Sequence, residues 1–165
     1  IALALGPPTP AGAAPGPDEL LLEAEVALGK RDLAGAAAAF AAAADASPDV
    51  TVAERATQFT FGAGFDALAE RAVSRWAALA PENPLPRELL GRLKLQGGDA
   101  RTAAREFRAA LASGSLDPAA AHSDLAESYL ALGDKVQARR AILAAIEVAP
   151  GYPRAQDLLL KVVAQ

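Results

Sequence analysis

His122 is the only histidine of this 165-residue chain, and Ser123 and Asp124 follow it, so the residue types of a nucleophilic triad stand side by side. On a helix, however, neighbouring side chains point in different directions and cannot relay a proton along a line, so the tripeptide assembles no catalytic set. The acids Glu23 and Glu25 suggest a cation site only if loop ligands accompany them, and no loop has the spacing that calcium needs; they read as a solvated helix face. Gly62 and Gly64 flank Ala63, but with no preceding strand and no Lys-Ser/Thr pair they are turn glycines rather than a phosphate cradle. Cysteine is absent, which removes disulfides, thiolate metal sites and Cys nucleophiles and leaves the redox compartment open. These residues together predict no enzyme activity, no cofactor and no metal.

Any function therefore rests on the elements the chain builds. Apolar residues make up 52% of it and aromatics only 5%, and the excess is alanine, as in Ala36–Ala39 and Ala41–Ala44. Alanine favours helices and lets their axes approach, while the β-branched and aromatic residues that strands prefer are scarce, so an all-α fold is expected. The net charge of −4, from 16 basic and 20 acidic side chains, creates no field that would gather phosphates, and nucleic acid is not an expected partner. No stretch approaches the ~20 apolar residues of a membrane span. The chain starts at Ile1, has no methionine, and runs from an apolar Ile1–Leu5 into a Pro/Gly/Ala segment. Residues 1–16 read as a flexible leader or as the remnant of a signal peptide with a small-residue cleavage site at Ala11-Gly12-Ala13, and the chain reads as a fragment that has lost its true start.

A repeat organises the remainder. From Ala119 to Tyr152 the pattern is Leu125-Ala126, Tyr129, Gly133-Asp134, Ala138, Ile142, Ala145 and Pro150. One repeat earlier, Leu90-Gly91, Lys94, Gly98-Asp99, Ala103, Phe107 and Ala110 fall in register, and near the start so do Ala24, Ala27, Arg31-Asp32, Ala36, Phe40, Ala43 and Pro48. A degenerate copy, through Ala56-Thr57, Gly64, Ala69, Val73, Trp76 and Pro81, has lost the large-small pair of its first helix. The interval from Pro48 to Pro81 is 33 residues, and that from Pro84 to Ala119 is 35. Each unit predicts two antiparallel helices in which a large-small pair on the first admits the second, whose Ala-Phe-Ala spacing puts one bulky residue between two small ones. Gly-Asp joins the two helices, the glycine accepting the left-handed turn and the aspartate capping the second helix, and proline ends the unit. Residues 153–165 read as an amphipathic helix, with Leu159, Leu160 and Val163 apolar, that covers the last hairpin.

This pattern resembles the tetratricopeptide repeat family, in frame from Pro17 to Gln165, with units at 17–49, 50–83 (degenerate), 84–118 and 119–152 and a capping helix at 153–165. The resemblance implies a right-handed superhelical α-solenoid, with a concave wall formed by the first helix of every hairpin, that acts as a non-enzymatic scaffold for a protein or peptide. Its groove positions map to Asp18, Leu21, Glu25 and Leu28, then Thr51, Glu54, Gln58 and Phe61. The third unit gives Leu85, Glu88, Arg92 and Leu95, and the fourth Ala120, Ser123, Glu127 and Leu130. Phe61 and Leu95 are expected to receive apolar side chains, while Gln58, Glu88, Arg92 and Glu127 fix orientation. The Lys and Asn set with which some members hold a terminal carboxylate is absent. His122 falls where the family packs an aromatic, so packing is its expected role, and Trp76 replaces an expected alanine, which should splay or rearrange its hairpin. Ala53-Glu54-Arg55-Ala56-Thr57 and Arg75–Pro81 are similar to bacterial envelope members, implying a periplasmic or envelope-associated location, with the cytoplasm as the alternative. Two other readings stand beside the scaffold: one region of a longer protein whose missing part catalyses or anchors, and a subunit that self-assembles through its terminal helices. A monomer or weak homo-oligomer is expected.

Overall fold

The structure, a computed structural model, describes residues 14–163; the Ile1–Leu5 stretch, the Ala11-Gly12-Ala13 site and residues 164–165 of the expected capping helix lie outside them. The described residues form nine helices and no strand: α1 (Pro17–Gly29), α2 (Leu33–Ala46), α3 (Val50–Gly62), α4 (Asp66–Leu79), α5 (Pro84–Gln96), α6 (Ala100–Ala112), α7 (Pro118–Ala131), α8 (Lys135–Val148) and α9 (Pro153–Val163). The first eight pair as consecutive hairpins, and α9 lies against α7 and α8. None of these helices is long and apolar enough to cross a membrane. The all-α helical-repeat expectation is met.

The four hairpin turns share one backbone arrangement. Asp32, Phe65, Asp99 and Asp134 each donate their N–H to the carbonyl five residues back, at 2.8–2.9 Å, and the residue before each bonds three back. That preceding residue is left-handed in every case: Arg31 (φ 61°), Gly64 (77°), Gly98 (84°) and Gly133 (76°). This is the Schellman closure of a helix C-terminus, and Arg31 holds it despite its Cβ. The aspartates then cap the second helices, accepting from the N–H of Gly35 (2.8 Å), Thr102 (3.1 Å) and Gln137 (3.0 Å). Phe65 offers no such oxygen to α4, a departure of the second unit that adds to the lost large-small pair of its first helix. Pro48, Pro81 and Pro150 follow the last residue of α2, α4 and α8 by two positions, because the residue before a proline is pushed out of the helical region.

Packing follows the predicted large-small scheme. Ala36, Phe40 and Ala43 are buried on α2, as are Ala69, Val73 and Trp76 on α4, Ala103, Phe107 and Ala110 on α6, and Ala138, Ile142 and Ala145 on α8. Each large side chain so buried contributes roughly 1.5–3 kcal/mol. The fit is tight enough that a Cβ built on Gly91 of α5 would lie 2.9 Å from Cε1 and Cζ of Phe107.

Stacking between hairpins is not uniform. α5 packs on α7 and α7 on α9, whereas no Cα of α3 comes within 8 Å of α1 or α5. In that first half the second helices meet instead, α2 against α4. Ala37, Ala41 and Ala44 give α2 a further buried stripe of small residues on which a helix can approach closely. Arg75 of α4 fastens this contact by donating to the carbonyls of Ser47 (2.8 Å) and Ala44 (3.3 Å) at the end of α2. Trp76 lies in the same core cluster as Ala44, Ala53, Leu90 and Leu93. The expected splaying of its hairpin is not seen: α3 and α4 stay packed like the other pairs.

The two kinds of glycine give opposite predictions. Gly91→Ala meets the buried Phe107 ring, and overpacking of about 1–3 kcal/mol exceeds the ~1 kcal/mol that alanine adds to a helix interior. Gly29→Ala, with nothing within 4 Å, should stabilise by about 0.4–1 kcal/mol. Urea midpoints should therefore fall for the first and rise for the second at unchanged m-value.

Candidate functional site

The face shared by α5, α7 and α9 carries a network of four charged side chains. Arg92 of α5 donates from Nε to Asp124 Oδ2 of α7 at 3.1 Å. Arg154 of α9 reaches Asp124 Oδ1 at 2.6 Å with Nη1, and Glu127 of α7 at 3.1 Å with Nε and 2.8 Å with Nη2. Asp124 is buried while both arginines are partly open to solvent. Burial works against the Arg154 charge, but the hydrogen bond from Glu127 and the charges of Asp124 and Glu127 outweigh it, so its pKa is raised and the guanidinium stays charged. These four side chains, with Leu95 and Gln96, line a recess of about 230 Å³. Arg154 spends its donors on the two acids, whereas Nη1 and Nη2 of Arg92, which lines the recess, donate to no protein group among the described residues.

The nine residues expected in the groove separate into three groups. Arg92, Leu95 and Glu127 line this one recess. Glu54, Gln58 and Phe61 lie on α3, apart from it; Gln58 donates to Glu54 at 3.2 Å, and Phe61 is 37% exposed. The remaining three are drawn into the interior. Ser123 is fully buried and donates to the Ala119 carbonyl at 2.8 Å, Glu88 is buried and accepts from Ser115 Oγ, and Leu130 packs against the second core cluster. Ser123 and Glu88 are thus corrected from contact positions to internal ones: the hydroxyl turns back on its own helix, and the carboxylate ties α5 to the loop before α7. Of the other mapped positions, Leu21 and Leu28 are half-buried against the first core cluster, and Glu25 pairs with Arg55, whose guanidinium lies 5.0 Å from the Phe40 ring centroid.

Asp124 and Arg154 were missed by the sequence reading, the first because it is not a groove position and the second because α9 was read as a cap. One signal was available: Arg92 and Asp124, of opposite charge, are 32 residues apart, about one repeat. His122 is half-buried beside a cavity of about 280 Å³ with Arg108, Tyr129 and Arg140, and its Nδ1 is buried without a hydrogen-bond partner. Burial lowers its pKa from 6.5, in keeping with a packing role. Among the described residues no three His, Cys, Asp or Glu side chains are placed to hold a metal.

No family model and no curated protein matches the sequence. Solved structures do match in fold. A MamA protein superposes with a TM-score of 0.71 at 18% identity, over 88% of this chain and 80% of that one. A tetratricopeptide repeat protein from Parabacteroides merdae ATCC 43184 gives 0.67 at 17% identity, over 90% and 60%. YrrB, described as a TPR protein with an unusual peptide-binding site, gives 0.66 at 17%, over 86% and 73%. The fold of this chain is accordingly that of tetratricopeptide repeat proteins.

Arg154→Leu keeps the aliphatic contact but strands Glu127 and half of Asp124. Because the guanidinium is 38% exposed, the loss should fall below the 3–5 kcal/mol of a fully buried pair. Amide protection across 153–163 should drop by about tenfold, or ~1.4 kcal/mol, in hydrogen exchange. His122 gives a pH prediction. With the folded pKa below 6.5, the unfolded chain binds the proton first, so stability is full above about pH 6.5 and declines as the pH falls through the folded pKa. His122→Phe should flatten thermal midpoints between pH 7 and 5 relative to the parent.

Proposed function

We propose that this tetratricopeptide-fold chain is a non-enzymatic scaffold whose α5–α7–α9 face holds an extended segment of a partner protein. The observation that carries this reading is the braced arginine pair. Asp124 and Glu127 fix the guanidinium of Arg154, and Asp124 orients that of Arg92, whose Nη groups are left to donate to a carbonyl or carboxylate of a guest. An arginine already held in place loses little side-chain entropy when it binds, which favours planar two-point recognition. Leu95 supplies an apolar wall beside it. The recess admits one side chain, and Phe61 on α3 offers a second, apolar anchor farther along the first-helix side. The peptide-binding site named for YrrB, on the same fold, supports a peptide as the guest class.

Linear peptides selected from a random library against the intact chain provide the probe, with affinity read by fluorescence anisotropy. Phe61→Ala combined with Arg92→Glu should weaken selected peptides by at least tenfold, the scale of one anchor residue. Leu33→Ala, on the exposed first turn of α2, should leave them unchanged. Unchanged binding in the double variant would remove the assignment of this face.

A further inference from the structure

The two ends of the molecule carry opposite charge on matching helical patterns. On α1, Glu19, Leu22, Glu23 and Val26 are spaced i, i+3, i+4 and i+7 on one face, which borders the start of α2 where Glu23 and Val26 line a recess with Asp32 and Gly35; Leu22 is 66% exposed and Val26 47%. On α8, Val136, Arg139, Arg140 and Leu143 repeat that spacing, with Val136 at 65% and Leu143 at 48%. With Lys135 and Val162 of α9 they line a groove of about 450 Å³. Apolar side chains of this size, exposed on both surfaces, leave unburied area that a partner would cover. None of Glu19, Glu23, Lys135, Arg139 or Arg140 is engaged in an ion pair among the described residues, and Glu19 accepts only from the backbone N–H of Gly16 at the start of its own helix.

The groove has a geometric meaning within the repeat. At the start of the stack the second helix α2 receives the second helix of the next hairpin, α4, along its side. Among the described residues no later second helix is met in this way, since α4 makes no such contact with α6 nor α6 with α8, and α8 is flanked by α7 and α9. The groove between α8 and α9 sets Val136, Leu143 and Val162 beside Lys135, Arg139 and Arg140, and an amphipathic helix with acids flanking its apolar residues complements it.

We infer that the occupant is α1 of a second copy of this chain, so that the molecules join head to tail: Leu22 and Val26 enter the groove among Val136, Leu143 and Val162, while Glu19 and Glu23 meet Arg139, Arg140 and Lys135. The contact joins two different surfaces, so it does not close on itself in a dimer and each added copy presents a fresh end. It uses no residue of the α5–α7–α9 recess, so the two proposals stand or fall separately.

Light scattering of the intact chain tests the inference. The weight-average mass should rise above the 16.8 kDa of one chain as concentration increases, and the rise should shrink at about 0.5 M salt, where the Debye length falls to roughly 4 Å. Two charge variants, each checked for helix content by circular dichroism, locate the contact. Leu22→Lys with Glu23→Lys spoils the head, Arg139→Glu with Arg140→Glu spoils the tail, and each alone should stay at the mass of one chain. Mixed in equal amounts they regain one intact head and one intact tail, and the mass should rise again. A parent mass that stays at one chain at every concentration overturns the proposal. So does association that persists in either double variant, or a mixture that remains monomeric.

Discussion

The structure depends on one steric match: a bulky side chain on the second helix of each hairpin entering the space left by a small residue on the first. Phe107 over Gly91 is its tightest instance, since even a methyl group at position 91 would press on the ring. Phe40, Ile142 and Val73 occupy the corresponding places in the other hairpins. Once this match fixes the pairing of two helices, the turn between them has little freedom, and the same Schellman closure appears four times, even where Arg31 must adopt the left-handed conformation in place of glycine. Local turn chemistry and long-range packing thus demand the same geometry, which is the consistency expected of a sequence that specifies one fold.

The contacts between hairpins are less constrained, and the molecule uses that freedom. Alanines on α2 let α4 come close, and the first helices of that half stand apart, with Arg55 of α3 spanning to Glu25 of α1 through long side chains rather than backbone contact. In the second half, α5, α7 and α9 come together, and the space between them is filled by charge. Asp124 is the centre of that arrangement: taken out of water, it is tolerated because two guanidiniums meet its two oxygens. The brace that holds α9 in place is therefore also what shapes the recess, so stability and site geometry are coupled through Arg154.

The buried hydroxyls obey a simpler logic. Thr57, Thr60, Ser123 and Ser128 all lie in the interior and all donate to the carbonyl four residues earlier. A polar side chain satisfied within its own helix costs little to bury and makes no demand on its neighbours, so such residues occupy small core positions without marking a site.

The sequence alone determined the helical hairpins, because what defines them is local: residue volume at fixed spacing, a residue that tolerates positive φ followed by an aspartate, and proline two positions past the helix end. Ser123 shows the limit of that reasoning, since counting positions along a repeat says which residues share a stripe but not whether the stripe faces solvent or a neighbouring helix. Trp76 shows it again: its size foretold a splayed or rearranged hairpin, and the packed structure instead buries the ring in a core shared with the neighbouring hairpins. The meeting of Arg92, Asp124, Glu127 and Arg154 was likewise decided by tertiary structure. It needs three helices from three units to approach to within side-chain reach, and that distance depends on the whole inter-hairpin packing rather than on any one segment.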